Sequence, residues 1–505
     1  MKTLLPRTLS INGWRNASSR QVKLPARTAR SVIATLLFTL LTPVTIELVR
    51  AEGQASPFTS QSAHDPGVRT DAVDAGQPIP NLAQTPGASD FFTNGEARFT
   101  EIDVVRGGAN NGLGPRFNTN QCSSCHSQPN IGGSSPSASV YPFIGPNPET
   151  LVYNLEGATN ILPSFITPDG PAREARFVKF LNPDGTPSST GDGGVHALFT
   201  IQGRSDAAGC TLAQPAFAQN LALGNVVFRI PTPIFGAGLI ENISDETILR
   251  NMQQNTSQKT SLGIAGHPNR NGNDGTIARF GWKAQNKSLE MFAGEAYNVE
   301  MGVTNELFPN ERPSPDEELA SGLPFSCKLN PTPEDSTNVG LSSVDIPSDI
   351  VQFAMFMRLL APPFTSTSGI PGNPTAQSIA NGRQDFVNIG CSLCHTPTMT
   401  TANSKVPALS HARANLYSDL LVHNMGTTLA DGVAQGGAGP NEFRTAPLWG
   451  LGQRVFFLHD GRTTDLLDAI KAHSSSGSEA NGVIGSFSEL TSSQQQDLLN
   501  FLRSL

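Results

Sequence analysis

A chain that carries Cys122-Ser-Ser-Cys125-His126 and again Cys391-Ser-Leu-Cys394-His395 must fold around two large guests, because C-x-x-C-H is the signature by which haem c is attached. Two thiols three residues apart share one helical face, where they can form thioethers to the haem vinyls. The next histidine turns its imidazole to the iron. Four of the six cysteines are used this way. A CxxC zinc site would leave each following histidine unexplained, and a thioredoxin-like dithiol would need one motif in a βαβ setting. The expected cofactors are therefore two covalently bound haem c groups, held by Cys122, Cys125 and His126 and by Cys391, Cys394 and His395.

The first fifty residues hold eight Lys/Arg against the single acid Glu47, and an apolar stretch from Ser31 to Ile46 follows the basic region. That stretch is shorter than the ~20 residues of a membrane span and suits a signal h-region. Residues 1–51 are expected to be a signal peptide cut near Ala51, leaving a periplasmic or otherwise exported body. A membrane is involved only if the signal stays uncleaved. The whole chain has a net charge of −8, of which the first fifty residues contribute +7, so the remainder stands at −15. Such an acidic body disfavours nucleic acid as a partner and suits docking of a basic electron-transfer protein. Cys210 and Cys327 are expected to pair in an oxidising compartment; two buried free thiols are the alternative.

With 48 Gly and 38 Pro, much of the chain must be turns and long loops. Residues 52–88 are polar and rich in Pro, Ser and Gly and read as a linker. Residues 89–133 form the N-terminal part of a first haem domain. Residues 134–275 alternate short apolar runs (Leu151-Val-Tyr, Val226-Val-Phe-Arg-Ile) with Gly/Pro/Asn and read as a loop-rich insertion with some β-strand. Residues 276–340 complete the first domain, and 341–505 form the second. In that last part, helices are predicted from Ser348 to Pro362, from Thr375 to Ile389, and after Leu490-Thr-Ser-Ser-Gln, where Leu498, Leu499, Leu502 and Leu505 make an apolar stripe.

Beyond the haem motifs, Gly112-Leu-Gly-Pro-Arg-Phe-Asn, Phe235-Gly-Ala-Gly-Leu-Ile-Glu, Arg279-Phe-Gly-Trp-Lys-Ala, Phe443-Arg-Thr-Ala-Pro-Leu-Trp-Gly-Leu-Gly and Leu458-His-Asp-Gly-Arg resemble the di-haem oxidoreductase family. That family is a branch of the bacterial di-haem cytochrome c peroxidase and MauG superfamily, and the resemblance spans about residues 90–505. It implies a mainly α fold with long loops, in which two cytochrome c-like haem domains accompany the insertion. Substrate would react at the N-terminal haem, and electrons would enter at the C-terminal one.

The superfamily pattern puts the sixth ligand of the second iron fourteen residues after the histidine of His459-Asp-Gly. This position is His473, where peroxidases usually have methionine. Two imidazoles would give a low-spin iron of lower potential than His/Met ligation; Met425 and His423 are reserve candidates. After His126 the next histidine is His196, so the first iron is expected to have an open or weakly occupied sixth position. His196, another residue of the insertion or a tyrosine are the alternatives there.

Glu300-Met301 resembles the distal glutamate motif, and Trp282 falls where the family has a tryptophan between the haems. Phe292 stands where a glutamine is expected, and an apolar residue there is similar to the di-haem rubber oxygenases. The superfamily's calcium would bind partly through carbonyls just before His-Asp-Gly; the stretch Arg454-Val-Phe-Phe lacks the expected Thr and Pro, so calcium is possible but unsupported.

The function implied is that of an exported, peroxidase-like di-haem oxidoreductase, with a redox partner protein as electron donor and hydrogen peroxide or dioxygen as substrate. Glu300 and Trp282 are the catalytic candidates. One competitor is a pure electron carrier with two six-coordinate irons; another is an oxidase or oxygenase acting on an organic or protein substrate.

Overall fold

A computed structural model describes residues 62–71, 74–106, 112–136, 146–189, 191–312, 325–338 and 346–505. The expected signal peptide lies outside the described residues. The described chain is mainly helical with a few small antiparallel sheets: 116–117 pairs with 199–200, 174–177 lies between 195–196 and 226–229, 399–400 pairs with 413–414, and 422–424 with 442–444. No helix among the described residues is long and apolar enough to cross a membrane.

Two helix crossings organise the cores. Around the first motif, the helix Ala88–Phe99 lies against Asp349–Leu359. Gly95 permits the approach, since a Cβ there would come within 2.5 Å of the Gln352 carbonyl oxygen. Phe92 and Phe99 meet Phe356 at ring separations of 5.3 and 5.2 Å, and Tyr297 of the Leu289–Glu300 helix meets Phe353 at 5.1 Å. Around the second motif, Ala376–Asn388 crosses Ser492–Arg503. Gly382 sits at the crossing, where a Cβ would be 1.9 Å from the Asp497 carbonyl oxygen. Thr375 caps the first of this pair, and a Thr491/Gln494 capping box starts the second, satisfying end donors that would otherwise lack partners.

The three helices predicted in this half are present. One belongs elsewhere: Asp349–Leu359, read as part of the second haem domain, is built into the core around the first motif through Phe353 and Phe356. Its apolar residues nearly encircle it, so periodicity reveals a buried helix without saying in which core. Leu151-Val-Tyr, read as a strand, instead lies in the helical turn Glu149–Val152 and its C-cap Tyr153.

The described part of the expected linker is also packed. Ala75, Ile79 and Leu82 are buried in the first core, and the Ile79 amide donates to Leu359 O at 2.8 Å. Near its start, Asp65 forms a two-pronged ion pair with the buried Arg503 and accepts the Leu466 amide at 2.8 Å. Polar composition concealed this because the anchors are a few apolar residues and one carboxylate.

Cys210 and Cys327 form the expected disulfide, with Cα atoms 4.7 Å apart and a sequence separation of 117. Closing so long a loop restricts the unfolded chain, and the Cys210→Ser/Cys327→Ser pair is expected to lose about 2–4 kcal/mol of stability. Denaturant midpoints measured with unchanged slope check this; labelling two free thiols in denatured, unreduced wild type would contradict the bond.

Candidate functional site

Each C-x-x-C-H motif opens onto a large recess. The four cysteines of the two motifs are unpaired. Cys122–Cys125 is a single helical turn and Cys391–Leu393 a tighter one, which places both sulfurs of each motif and the following histidine on one wall. The first recess, about 1310 Å³, is lined by Cys122, Cys125 and His126. The second, about 1410 Å³, is lined by Cys391, Cys394, His395 and His473.

The histidines are prepared for a metal. His126 Nδ1 lies 3.1 Å from Gly133 O and His395 Nδ1 3.0 Å from Tyr417 O. His473 Nδ1 lies 2.8 Å from Ala469 O. A backbone carbonyl on Nδ1 fixes the tautomer with the proton there and leaves Nε2 as a free lone pair. Burial pushes the pKa of His126 and of His395 down to about 4 and that of His473 down as well, so all three are neutral, the form that binds metal. The residues fit two haem groups: the first motif's recess has one such histidine, and the second motif's recess has two, His395 and His473.

His423, a reserve candidate, is differently engaged. Its Nδ1 is 2.8 Å from Glu479 and its Nε2 3.0 Å from Asp419. Burial alone would lower its pKa, but the adjacent Asp419 carboxylate helps push it well above the ordinary value, leaving no lone pair to offer. Met425 also lines the second recess. His196 stacks on Phe177 at 3.8 Å, and its Nε2 is held 2.9 Å from Gly193 O; it is not among the residues lining the first recess, where His126 is the one described histidine. Tyr297 lines that recess but directs its hydroxyl to Asp349.

Trp282 lines both recesses. Its indole N–H donates to Ile230 O at 2.9 Å, and its carbonyl accepts the Arg444 amide at 2.8 Å. On the second side His459 meets its ring edge-on at 6.4 Å and stacks on Phe443 at 4.3 Å. A wall of packed aromatic rings therefore separates the two recesses.

Glu300, the last residue of its helix, is walled into the first recess. Asn118 holds it twice, by its amide to the Glu300 carbonyl at 2.7 Å and by its side chain to the carboxylate at 2.5 Å. Burial and the Glu174 carboxyl, hydrogen-bonded to it, push the Glu300 pKa well above the carboxylate range. Glu149 stands in the same wall with burial raising it to about 8. Phe292 forms an apolar part of the wall and stacks with Phe280 at 6.1 Å. Glu149 and Glu174 were missed in the sequence because both come from the insertion, with no motif around them.

A family model described as "Di-haem oxidoreductase, putative peroxidase" matches residues 190–505. The chain belongs to the di-haem oxidoreductases. The match begins after the first C-x-x-C-H motif, but Trp282 and Glu300, inside it, help to line the recess onto which that motif opens. No curated protein matches this di-haem oxidoreductase. Among solved structures, Kuenenia stuttgartiensis hydrazine synthase pressurised with 20 bar xenon is 18% identical with a TM-score of 0.21, over 32% of this chain and 56% of that one. A MauG-like protein associated with microbial copper homeostasis is 16% identical with a TM-score of 0.24, over 52% of this chain and 89% of that one. The di-haem oxidoreductase thus spans about half the length of the hydrazine synthase chain.

Proposed function

We propose that this di-haem oxidoreductase carries two thioether-bound haems and reduces peroxide at the first, with electrons arriving from a redox partner protein through the second. The observation that carries this reading is Glu300: a buried, proton-holding carboxyl in a recess whose one described histidine is His126. Bound there, the haem would supply the redox iron at which peroxide is reduced. Heterolysis of an O–O bond requires a proton to move from the near to the far oxygen. Glu300, which already holds a proton, is placed to give it to the far oxygen and to be reprotonated from the near one, with Asn118 orienting it and the Glu174 carboxyl hydrogen-bonded beside it. Trp282 is the contact through which electrons cross between the recesses, and His395 and His473 would hold the second iron.

The division into two cytochrome c-like domains, one around each helix crossing, belongs to the same reading. So does export to the periplasm after cleavage near Ala51, which the Cys210–Cys327 disulfide supports because such bonds persist outside the cytoplasm. Phe292 favours a second reading, an oxygenase with an apolar substrate, since it takes the place of a polar group.

The pyridine haemochrome assay is expected to count two haems per chain, both retained after denaturation, with Cys391→Ala leaving one firmly attached. Haem extracted from denatured wild type would refute covalent attachment. Peroxide turnover and cyanide binding by resting and half-reduced enzyme test the reaction itself. Inertness in both states makes the protein an electron carrier, whereas inertness to peroxide with tight dioxygen binding favours the oxygenase.

A further inference from the structure

Most buried arginines of this protein have a carboxylate of their own. Arg204 meets Asp206, Arg229 meets Asp431 and Arg503 meets Asp65. Arg444 and Arg454 do not. They are only 8% and 7% exposed, and among the described residues neither has an acid within ion-pair distance. The Arg444 side chain donates once, from Nε to Gly281 O at 3.0 Å, and its Nη1 is buried without a partner. No acceptor among the described residues takes a hydrogen bond from the Arg454 guanidinium. The two lie close enough to repel each other, and burial pushes both down to about 10, which still leaves them charged at neutral pH. Two adjacent, desolvated, uncompensated cations are strongly destabilising unless an anion joins them.

Both residues line the second recess, the one that His395 and His473 face. Both also line a smaller space shared with Trp282 and Phe292. Haem has two propionate carboxylates on one edge, and a guanidinium matches a carboxylate with two parallel N–H donors. We propose that Arg444 and Arg454 bind the propionates of the second haem, fixing its carboxylate edge towards Trp282 and raising its reduction potential. This rests on the haem reading above. It adds an orientation: the Arg444 backbone also donates to the Trp282 carbonyl, so one residue would hold both the haem edge and the backbone of the residue whose indole lines both recesses.

A cation near an iron disfavours the ferric state, whose charge is one unit more positive. In the holoprotein, Arg454→Gln is therefore expected to lower the potential of the low-spin haem, shifting its reduced/oxidised ratio at fixed potential roughly tenfold, or ~59 mV for one electron. Arg454→Lys should restore most of that. Spectroelectrochemical titration reads both. A shift below twofold in Arg454→Gln, or a loss in Arg454→Lys equal to that in Arg454→Gln, overturns the proposal. Should Arg454→Gln fail to fold, a crystal structure of wild-type holoprotein decides. Propionate oxygens about 2.7–2.9 Å from both guanidiniums are expected, and water or a solvent anion there instead overturns the assignment. The haemochrome count fails only if the haem reading itself is wrong, so the two failures are distinguishable.

Discussion

Glu300→Gln is expected to slow peroxide consumption by roughly 10²–10⁴-fold, the usual contribution of a positioned acid or base. Both haems should remain bound and the second unaltered. Glutamine keeps the shape and can still accept from Asn118, so the loss reports the proton and not the packing. The pH profile adds a sign. Burial and Glu174 raise the Glu300 pKa, so Glu300 carries its proton at neutral pH. The rate should hold at acidic and neutral pH and fall as pH rises through the raised value. Glu174→Gln removes one cause of the shift, which moves the alkaline limb to lower pH, and Glu300→Gln abolishes the limb. A variant Glu300→Gln within threefold of wild type, with its limb intact, would remove Glu300 from the chemistry.

His473→Ala is expected to convert one of the two haems completely from low to high spin in low-temperature EPR of the oxidised protein, because it withdraws a strong-field imidazole. His423→Ala should leave the spin state alone, since both His423 ring nitrogens are already committed to Asp419 and Glu479. If His473→Ala keeps its low-spin signal, the ligand passes to Met425, which lines the same recess.

Local signals made part of this legible in the sequence. The terminal helix announces itself through Thr491 and Gln494 and through the leucine stripe that fits against Ala376–Asn388. The haem motifs fix their residues by spacing alone, and Trp282 and Glu300 stand out through resemblance to a family pattern. What stayed hidden depends on long-range assembly. Glu149 and Glu174 reach the first recess only because strand 174–177 pairs with 226–229 and the Glu149–Val152 turn folds beneath it. No periodicity records that convergence. Arg444 stands in a family-like motif and Arg454 in the stretch before His459-Asp-Gly, but only burial without a neighbouring acid gives the pair a role. The segment at 62–88 misled for the opposite reason: its composition is that of a tether, while its few apolar residues are structural.

The clasp between Asp65 and Arg503 has a temporal meaning. These residues are 438 positions apart, and ribosomes make the first long before the second. The Leu466 amide and the Arg503 guanidinium that Asp65 engages do not exist when Asp65 is made, so the arm at 62–71 must wait for them. Contacts this remote in sequence are slow to close. The clasp thus ties the arm at 62–71 into the core around Cys391 and Cys394, so that core closes only when two remote parts of the chain meet.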